Sequence, residues 1–333
     1  MHSSTPFAFQ MANLVVEVGG FNNEDSACLQ GLKGIFIHHE VDSDTKAMHR
    51  ITVCAPETFK IPREATLRWQ SACLGIAGKK HRRCLWDFFR KKEIPQYSGT
   101  GKVLCYSDEQ RKIDYYVPEN GEWRIEHHVE EHVTNVYSDQ PCETSDGLPS
   151  MLVHIIGSQY GCYLLYASSI AIDGKALLFM GNGGVGKTTL CRELIRQGAT
   201  YLGDDLVLLY RQGEQTMAGS LLFPLKYFAD KQQDRKRKMD MVPQLPQRPP
   251  LSAPLASAYL LQRRNANIAE PRLELIPSEA MFETTLMLTN KAHTHADARH
   301  FVATLSTICE RVPFYSLCYN DSSKLTPSFF SRP

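Results

Sequence analysis

Gly181-Asn182-Gly183-Gly184-Val185-Gly186-Lys187-Thr188 spells G-x-x-x-x-G-K-[ST] without a gap, and its surroundings decide how the chain is read. Ahead of it, Ala176 to Met180 is an uninterrupted apolar run of the kind that forms a buried strand. Behind it, Leu190, Leu194 and Ile195 recur at helical spacing, so the pattern predicts a helix from Lys187 to about Gln197. Strand, glycine-rich loop and helix in this order suit a phosphate. The glycines let successive backbone N–H groups converge on its oxygens, Lys187 reaches the terminal phosphates, and the Thr188 hydroxyl can ligate Mg²⁺. The helix N-terminus adds positive potential. The candidate nucleotide-binding residues are therefore Gly181, Asn182, Gly183, Gly184, Val185, Gly186, Lys187, Thr188 and Thr189. A glycine-rich turn without function is the plain alternative, and the flanking strand and helix argue against it.

The chain has 333 residues, enough for two domains with ordinary cores. Its 43% hydrophobic content is that of a globular protein. A net charge of +1, from 37 basic and 36 acidic residues, offers no global attraction to nucleic acid or to a membrane surface, so neither is expected as a partner. Ten cysteines without a C-x-x-C pair, and no secretory leader in residues 1–20, predict reduced thiols and a cytoplasmic protein. The longest apolar stretch, Tyr163 to Met180, is interrupted by Asp173-Gly174-Lys175 and falls short of a membrane span.

The first half reads as β-rich. Leu14 to Val18 and Ile35-Phe36-Ile37 read as strands, Arg63 to Gly78 and Leu85 to Lys92 as helices, and Lys102–Tyr106, Lys112–Val117 and Trp123–Val129 as a meander with an Asn120-Gly121 turn. His128-Val129-Glu130-Glu131-His132 spells H-x-x-E-H, a zinc motif when carried on a helix; here it continues a strand and lacks a third ligand, so it carries no metal expectation. Gln140 to Gly147 is polar and turn-rich. It places a boundary between a β-rich N-terminal domain, residues 1–147, and a second domain, residues 148–333.

Past that boundary Pro149 and Ser150 open an apolar helix, Met151 to Tyr160, that Gly161 can end. Strands Tyr163–Leu165 and Ser169–Ile172 follow, and Asp173-Gly174 turns the chain straight back into the apolar strand before the loop. An immediate hairpin makes that neighbour antiparallel, unlike a doubly wound nucleotide-binding sheet. The expected class is α/β with a mixed sheet of α+β character. Beyond the loop helix, Thr200–Leu202 leads into Gly203-Asp204-Asp205 and then Leu206–Tyr210. Two carboxylates at a strand bend suit a metal ligand beside a proton acceptor.

The run Leu165-Tyr166-Ala167-Ser168-Ser169-Ile170-Ala171-Ile172-Asp173-Gly174-Lys175, the glycine-rich loop and Gly203-Asp204-Asp205 together resemble the catalytic domain of HPr kinase/phosphorylase and its kinase-like relatives, from about Pro149 to Tyr319. The resemblance implies a P-loop domain akin to phosphoenolpyruvate carboxykinase, with ATP and Mg²⁺ as cofactors. It implies Lys187 as the phosphate lysine, Thr188 and Asp204 as metal ligands, Asp205 as the proton acceptor, and Asp230 as a further acidic ligand. It places the family's catalytic histidine at Tyr166. The implied partner is a small protein or peptide that presents a Ser or Thr hydroxyl, a ribosomally made peptide precursor being one form of it; association with further copies of the chain is compatible with the sequence.

Overall fold

The structure, a computed structural model, describes residues 6–20, 26–36, 40–42, 45–72, 102–118, 121–142, 148–181, 184–204, 206–220, 226–228, 238–240, 250–262, 270–288, 295–320 and 325–330. The chain divides into two compact units, Met1–Tyr160 with Lys291–Asp297 and Gly161–Asn290 with Ala298–Pro333. Among the described residues the architecture is mixed α/β, each unit being built on one large sheet.

In the first unit the strands are β1 (Phe7–Met11), β2 (Leu14–Gly20), β3 (Glu40–Val41), β4 (His49–Cys54), β5 (Thr66–Ala72), β6 (Lys102–Asp108), β7 (Ile113–Pro118), β8 (Arg124–His128) and β9 (Val133–Tyr137). Their order across the sheet is β3-β1-β2-β4-β9-β8-β7-β6-β5. The pairs β2–β4 and β4–β9 are parallel, while the meander β6 to β9 is antiparallel throughout. Helix α1 (Ala27–Phe36) corrects the expected strand at Ile35-Phe36-Ile37. Its buried residues Cys28, Leu29, Leu32 and Phe36 follow helical spacing, and the Leu29 N–H donates to the Ser26 hydroxyl at 3.1 Å. Ile37 lies outside the described residues, as does the helix expected at Leu85 to Lys92.

The helix expected from Arg63 is also corrected. Residues 66–70 alternate in type, and residues 66–72 pair with β6 on one side, with a register shift between Leu67 and Trp69. In the H-x-x-E-H stretch, His128 closes β8 and bonds Glu126 at 2.9 Å, whereas His132 sits in the following turn at φ 56°. Helix α2 (Leu148–Gln159) is buried from Leu148 to Ser158, and the Tyr160 hydroxyl after it donates to the Met48 carbonyl at 2.8 Å.

The second unit contains β10 (Tyr163–Leu165), β11 (Ala167–Ile172), β12 (Lys175–Met180), α3 (Lys187–Arg196), β13 (Thr200–Gly203), β14 (Val207–Gln212), β15 (Gln215–Ser220), β16 (Lys226–Phe228), β17 (Lys238–Asp240), β18 (Ser252–Leu261), β19 (Arg272–Leu275), α4 (Ser278–Leu288), α5 (His295–Arg311), which begins in the segment assigned to the first unit, β20 (Phe314–Cys318) and α6 (Pro327–Phe330). The sheet runs β10-β14-β15-β18-β12-β11-β13, with β20 also beside β18 and β19 beside β20. It is mixed: β12 is parallel to β18 but antiparallel to β11, its hairpin partner through Asp173-Gly174. Asp173 at φ 51° and Gly174 at φ 72° make that two-residue turn.

Strand β12 is apolar at every position after Lys175 because both of its faces are covered. Ala176, Leu178 and Met180 join the core that includes Phe301, Leu305 and Ile308 of α5, while Leu177 and Phe179 join the one that includes Leu190, Cys191 and Leu194 of α3. The strand from which the chain enters the loop before α3 is thereby packed on both faces. The eight described cysteines are free thiols. Among the described residues no helix is long and apolar enough to cross a membrane.

Candidate functional site

The site grows from the end of β12. Gly181 leaves the strand at φ 141°, where a Cβ would stand 3.1 Å from Val185 Cγ1 and 3.2 Å from the Leu261 carbonyl oxygen. Gly186, at φ 107°, takes the left-handed conformation immediately before α3. Lys187, one position into the helix, donates from Nζ to the Gly181 carbonyl at 3.0 Å. Lys187 is buried, and its ammonium also lies 4.2 Å from the centroid of the Tyr166 ring. A buried ammonium needs such partners, and an aromatic face supplies part of the negative potential.

Thr188, next along α3, points to the acidic residue at the end of β13. Its hydroxyl lies 2.9 Å from Oδ2 and 3.1 Å from Oδ1 of Asp204. Asp204 is buried, and its Oδ1 accepts a second hydrogen bond, from the Ser168 hydroxyl of β11. The antiparallel pairing of β11 with β13, which sets Ser169 opposite Gly203, brings the serine there. Burial holds the Cys191 thiol well above its usual range, with the Asp204 charge adding to the effect and Lys187 and Ser168 opposing it. The cysteine beneath the site is a neutral thiol.

Tyr166, Gly181, Gly186, Lys187, Thr188 and Asp204 are thus linked in one place, with Val185 half-buried against Gly181 and Gly184 and Thr189 exposed on the outside. Asn182, Gly183, Asp205 and Asp230 lie outside the described residues. Ser168 is the residue that motif reading passed over. The signal was present: two hydroxyls, Ser168 and Ser169, in a strand that is otherwise apolar, each requiring a partner once buried. Ser169 finds the Leu177 carbonyl at 3.0 Å and Ser168 finds Asp204.

The donor set of hydroxyl and carboxylate oxygens fits a hard divalent cation such as Mg²⁺, and Thr188 and Asp204 are close enough to share one. Beside it stand an ammonium and the N-terminus of a ten-residue helix. Cation, helix terminus and hard-metal ligands are what a polyphosphate requires.

No family model matches the chain. Among curated proteins it is similar to the HPr kinase/phosphorylases of Limosilactobacillus reuteri (strain DSM 20016) and Limosilactobacillus reuteri subsp. reuteri (strain JCM 1112), at 35% identity over 66 residues, which is 20% of this chain and 21% of each relative. The chain therefore matches about a fifth of the length of these relatives, a distant homology to that family over this stretch. Among solved structures, the Hpr(Ser) kinase/phosphatase from Coxiella burnetii is similar at 14% identity and a TM-score of 0.30, over 50% of this chain and 85% of that one. That likeness is too faint to bear on the fold.

Proposed function

We propose that the chain is an ATP- and Mg²⁺-dependent phosphotransferase, a kinase with an HPr kinase- and carboxykinase-like P-loop domain that acts on a Ser or Thr hydroxyl of a small protein or peptide. The observation that carries this reading is the meeting of Thr188 and Asp204 at 2.9 Å, directly beside the buried Lys187 at the head of α3. A turn without function has no need of a buried carboxylate on a hydroxyl or of a buried ammonium across its own loop. The distant homology to HPr kinase/phosphorylase supports the same class of chemistry.

In this reading Lys187 and the loop backbone bind the β- and γ-phosphates. Thr188 and Asp204, with Asp230 as a further acidic ligand, hold Mg²⁺, which when bound neutralises phosphate charge. The acceptor oxygen forms a bond to the γ-phosphorus as the bond from that phosphorus to the β,γ-bridging oxygen breaks, so ADP leaves; the hydroxyl proton passes to the Asp205 carboxylate. Residues 148–333 carry the chemistry and residues 1–147 select the acceptor, for which a ribosomally made peptide precursor is the narrower candidate.

A second reading, a nucleotide-binding regulatory module without transfer, is favoured by Tyr166, whose ring lies on Lys187 and which stands where the resemblance places the family's catalytic histidine. Incubation with γ-labelled ATP separates the two. Autophosphorylation or slow hydrolysis that is present in the wild type and absent in Lys187→Ala is the expected result. Nucleotide binding with no turnover in either protein selects the module, and equal turnover in both removes the loop from the chemistry.

A further inference from the structure

We infer that Ser168 is a positioning residue for this site, acting through Asp204 to fix which carboxylate oxygen is presented to a divalent cation. The inference rests on the phosphotransferase reading above. Ser168 is fully buried in β11, between Ala167 and Ser169, and its hydroxyl donates to Oδ1 of Asp204. Thr188 approaches the same carboxylate from α3, nearer to Oδ2 than to Oδ1. A carboxylate can turn about its Cβ–Cγ bond at little cost, and donors from two different elements, β11 and α3, restrain that turn. Ser168 holds Oδ1 while Thr188 stands 2.9 Å from Oδ2 and 3.1 Å from Oδ1, so Oδ2 is the oxygen nearer the Thr188 hydroxyl with which it would share a cation.

Two further features point the same way. A buried hydroxyl costs free energy unless it is bonded, and this one lies on a strand where alanine or valine would satisfy packing alone. Finally, Tyr166 stands two residues before Ser168 and meets Lys187, the neighbour of Thr188. One short stretch, residues 166–168, therefore touches both the ammonium and the carboxylate, and the contacts close on themselves through Lys187, Thr188 and Asp204.

The test is Mn²⁺ titration followed by electron paramagnetic resonance, in the presence of a non-hydrolysable ATP analogue, on full-length wild type, Ser168→Ala, Ser168→Thr, Asp204→Asn and the Ser168→Ala/Asp204→Asn double variant. Thermal unfolding of each metal-free protein is measured alongside. Loss of a group that orients a metal ligand weakens the metal by about 10–100-fold, and Ser168→Ala is expected to fall in that range while binding the analogue in EDTA as the wild type does. Ser168→Thr restores wild-type Mn²⁺ affinity, and in the Asp204→Asn background Ser168→Ala has no further effect, because the two act as a unit. Wild-type Mn²⁺ affinity in Ser168→Ala, or an equal loss on both backgrounds, overturns the inference and leaves the phosphotransferase reading standing. A wild-type protein that takes up no Mn²⁺ with the analogue overturns both. If Thr does not fit the enclosed position and lowers the unfolding temperature, the double-variant comparison decides alone.

Discussion

Tyr166 stands where the resemblance to HPr kinase/phosphorylase places a catalytic histidine. Its ring faces the Lys187 ammonium at 4.2 Å, a contact that shapes the lysine's surroundings without carrying a charge of its own. A histidine at this position exchanges a proton near neutral pH and can offset the charge of an incoming inorganic phosphate, whereas a phenol remains neutral there. On the proposed kinase reading, the wild-type protein is therefore expected to run forward only. Given its phosphorylated product and excess phosphate, it should form no pyrophosphate, and Tyr166→His should gain that release. The reverse step would join a phosphate oxygen to the seryl phosphorus, break the seryl O–P bond and return a proton to the serine. Efficient pyrophosphate release by the wild type would show that no histidine is needed.

At the scale of elements, the join between β12 and α3 has three described glycines at positive φ, Gly181, Gly184 and Gly186. Gly181 and Gly184 both have positive φ, 141° and 79°, but only at Gly181 does a Cβ also meet neighbours, a valine methyl group and a backbone oxygen. Gly184 has open space where its Cβ would be. Replacing both in turn by alanine separates conformational strain from steric crowding. Gly184→Ala should cost about 1–2 kcal/mol, the penalty for an L-residue in the left-handed region. Gly181→Ala should cost more, because the Leu261 carbonyl belongs to β18, which cannot recede without breaking its ladder to β12. Thermal unfolding and nucleotide affinity measured on both variants check the order. Equal effects would mean that the loop moves freely off the strand end.

At the scale of the molecule, the first unit carries a built-in sensitivity to acid. His49 on β4 and His127 on β8 share the Thr134 hydroxyl, at 2.8 and 2.9 Å, and both rings are buried. Burial, with neighbouring histidines adding to it, pushes both down to about 3. An unfolded histidine takes its proton near pH 6.5, so between about pH 6.5 and 3 the unfolded chain binds more protons than the folded one. Stability contributed by these two groups is complete above that window and is lost as pH falls, by about 1.4 kcal/mol per pH unit for each. Glu126, held low chiefly by its hydrogen bond from His128, adds loss in the carboxylate range, while His128, raised chiefly by the same bond, opposes the trend at higher pH. The guanidinium midpoint of the first unit's unfolding, followed by near-UV circular dichroism, should drop from pH 7 to pH 4. A midpoint that does not change over this range would be inconsistent with two buried neutral rings.

The sequence by itself determined the features that rest on local chemistry. The strand before the loop, the helix after it and the hairpin through Asp173-Gly174 that makes the sheet mixed follow from apolar period and turn residues, and all three are present. The meander from β6 to β8 was readable for the same reason, through its alternating pattern and turns. Where a segment's own preference was weak, the tertiary structure decided. Residues 66–72 are a strand because β6 offers them a ladder, and Ile35-Phe36 ends a helix because Ser26 caps it and residues 28, 29, 32 and 36 bury one face. The same holds for pairs distant in the chain. Ser168 and Asp204 are 36 residues apart, and only the register of β11 against β13 sets one hydroxyl on one carboxylate. The H-x-x-E-H letters show the reverse case, since a motif has meaning only on the element that displays it, and a β-turn sends its two histidines to different partners.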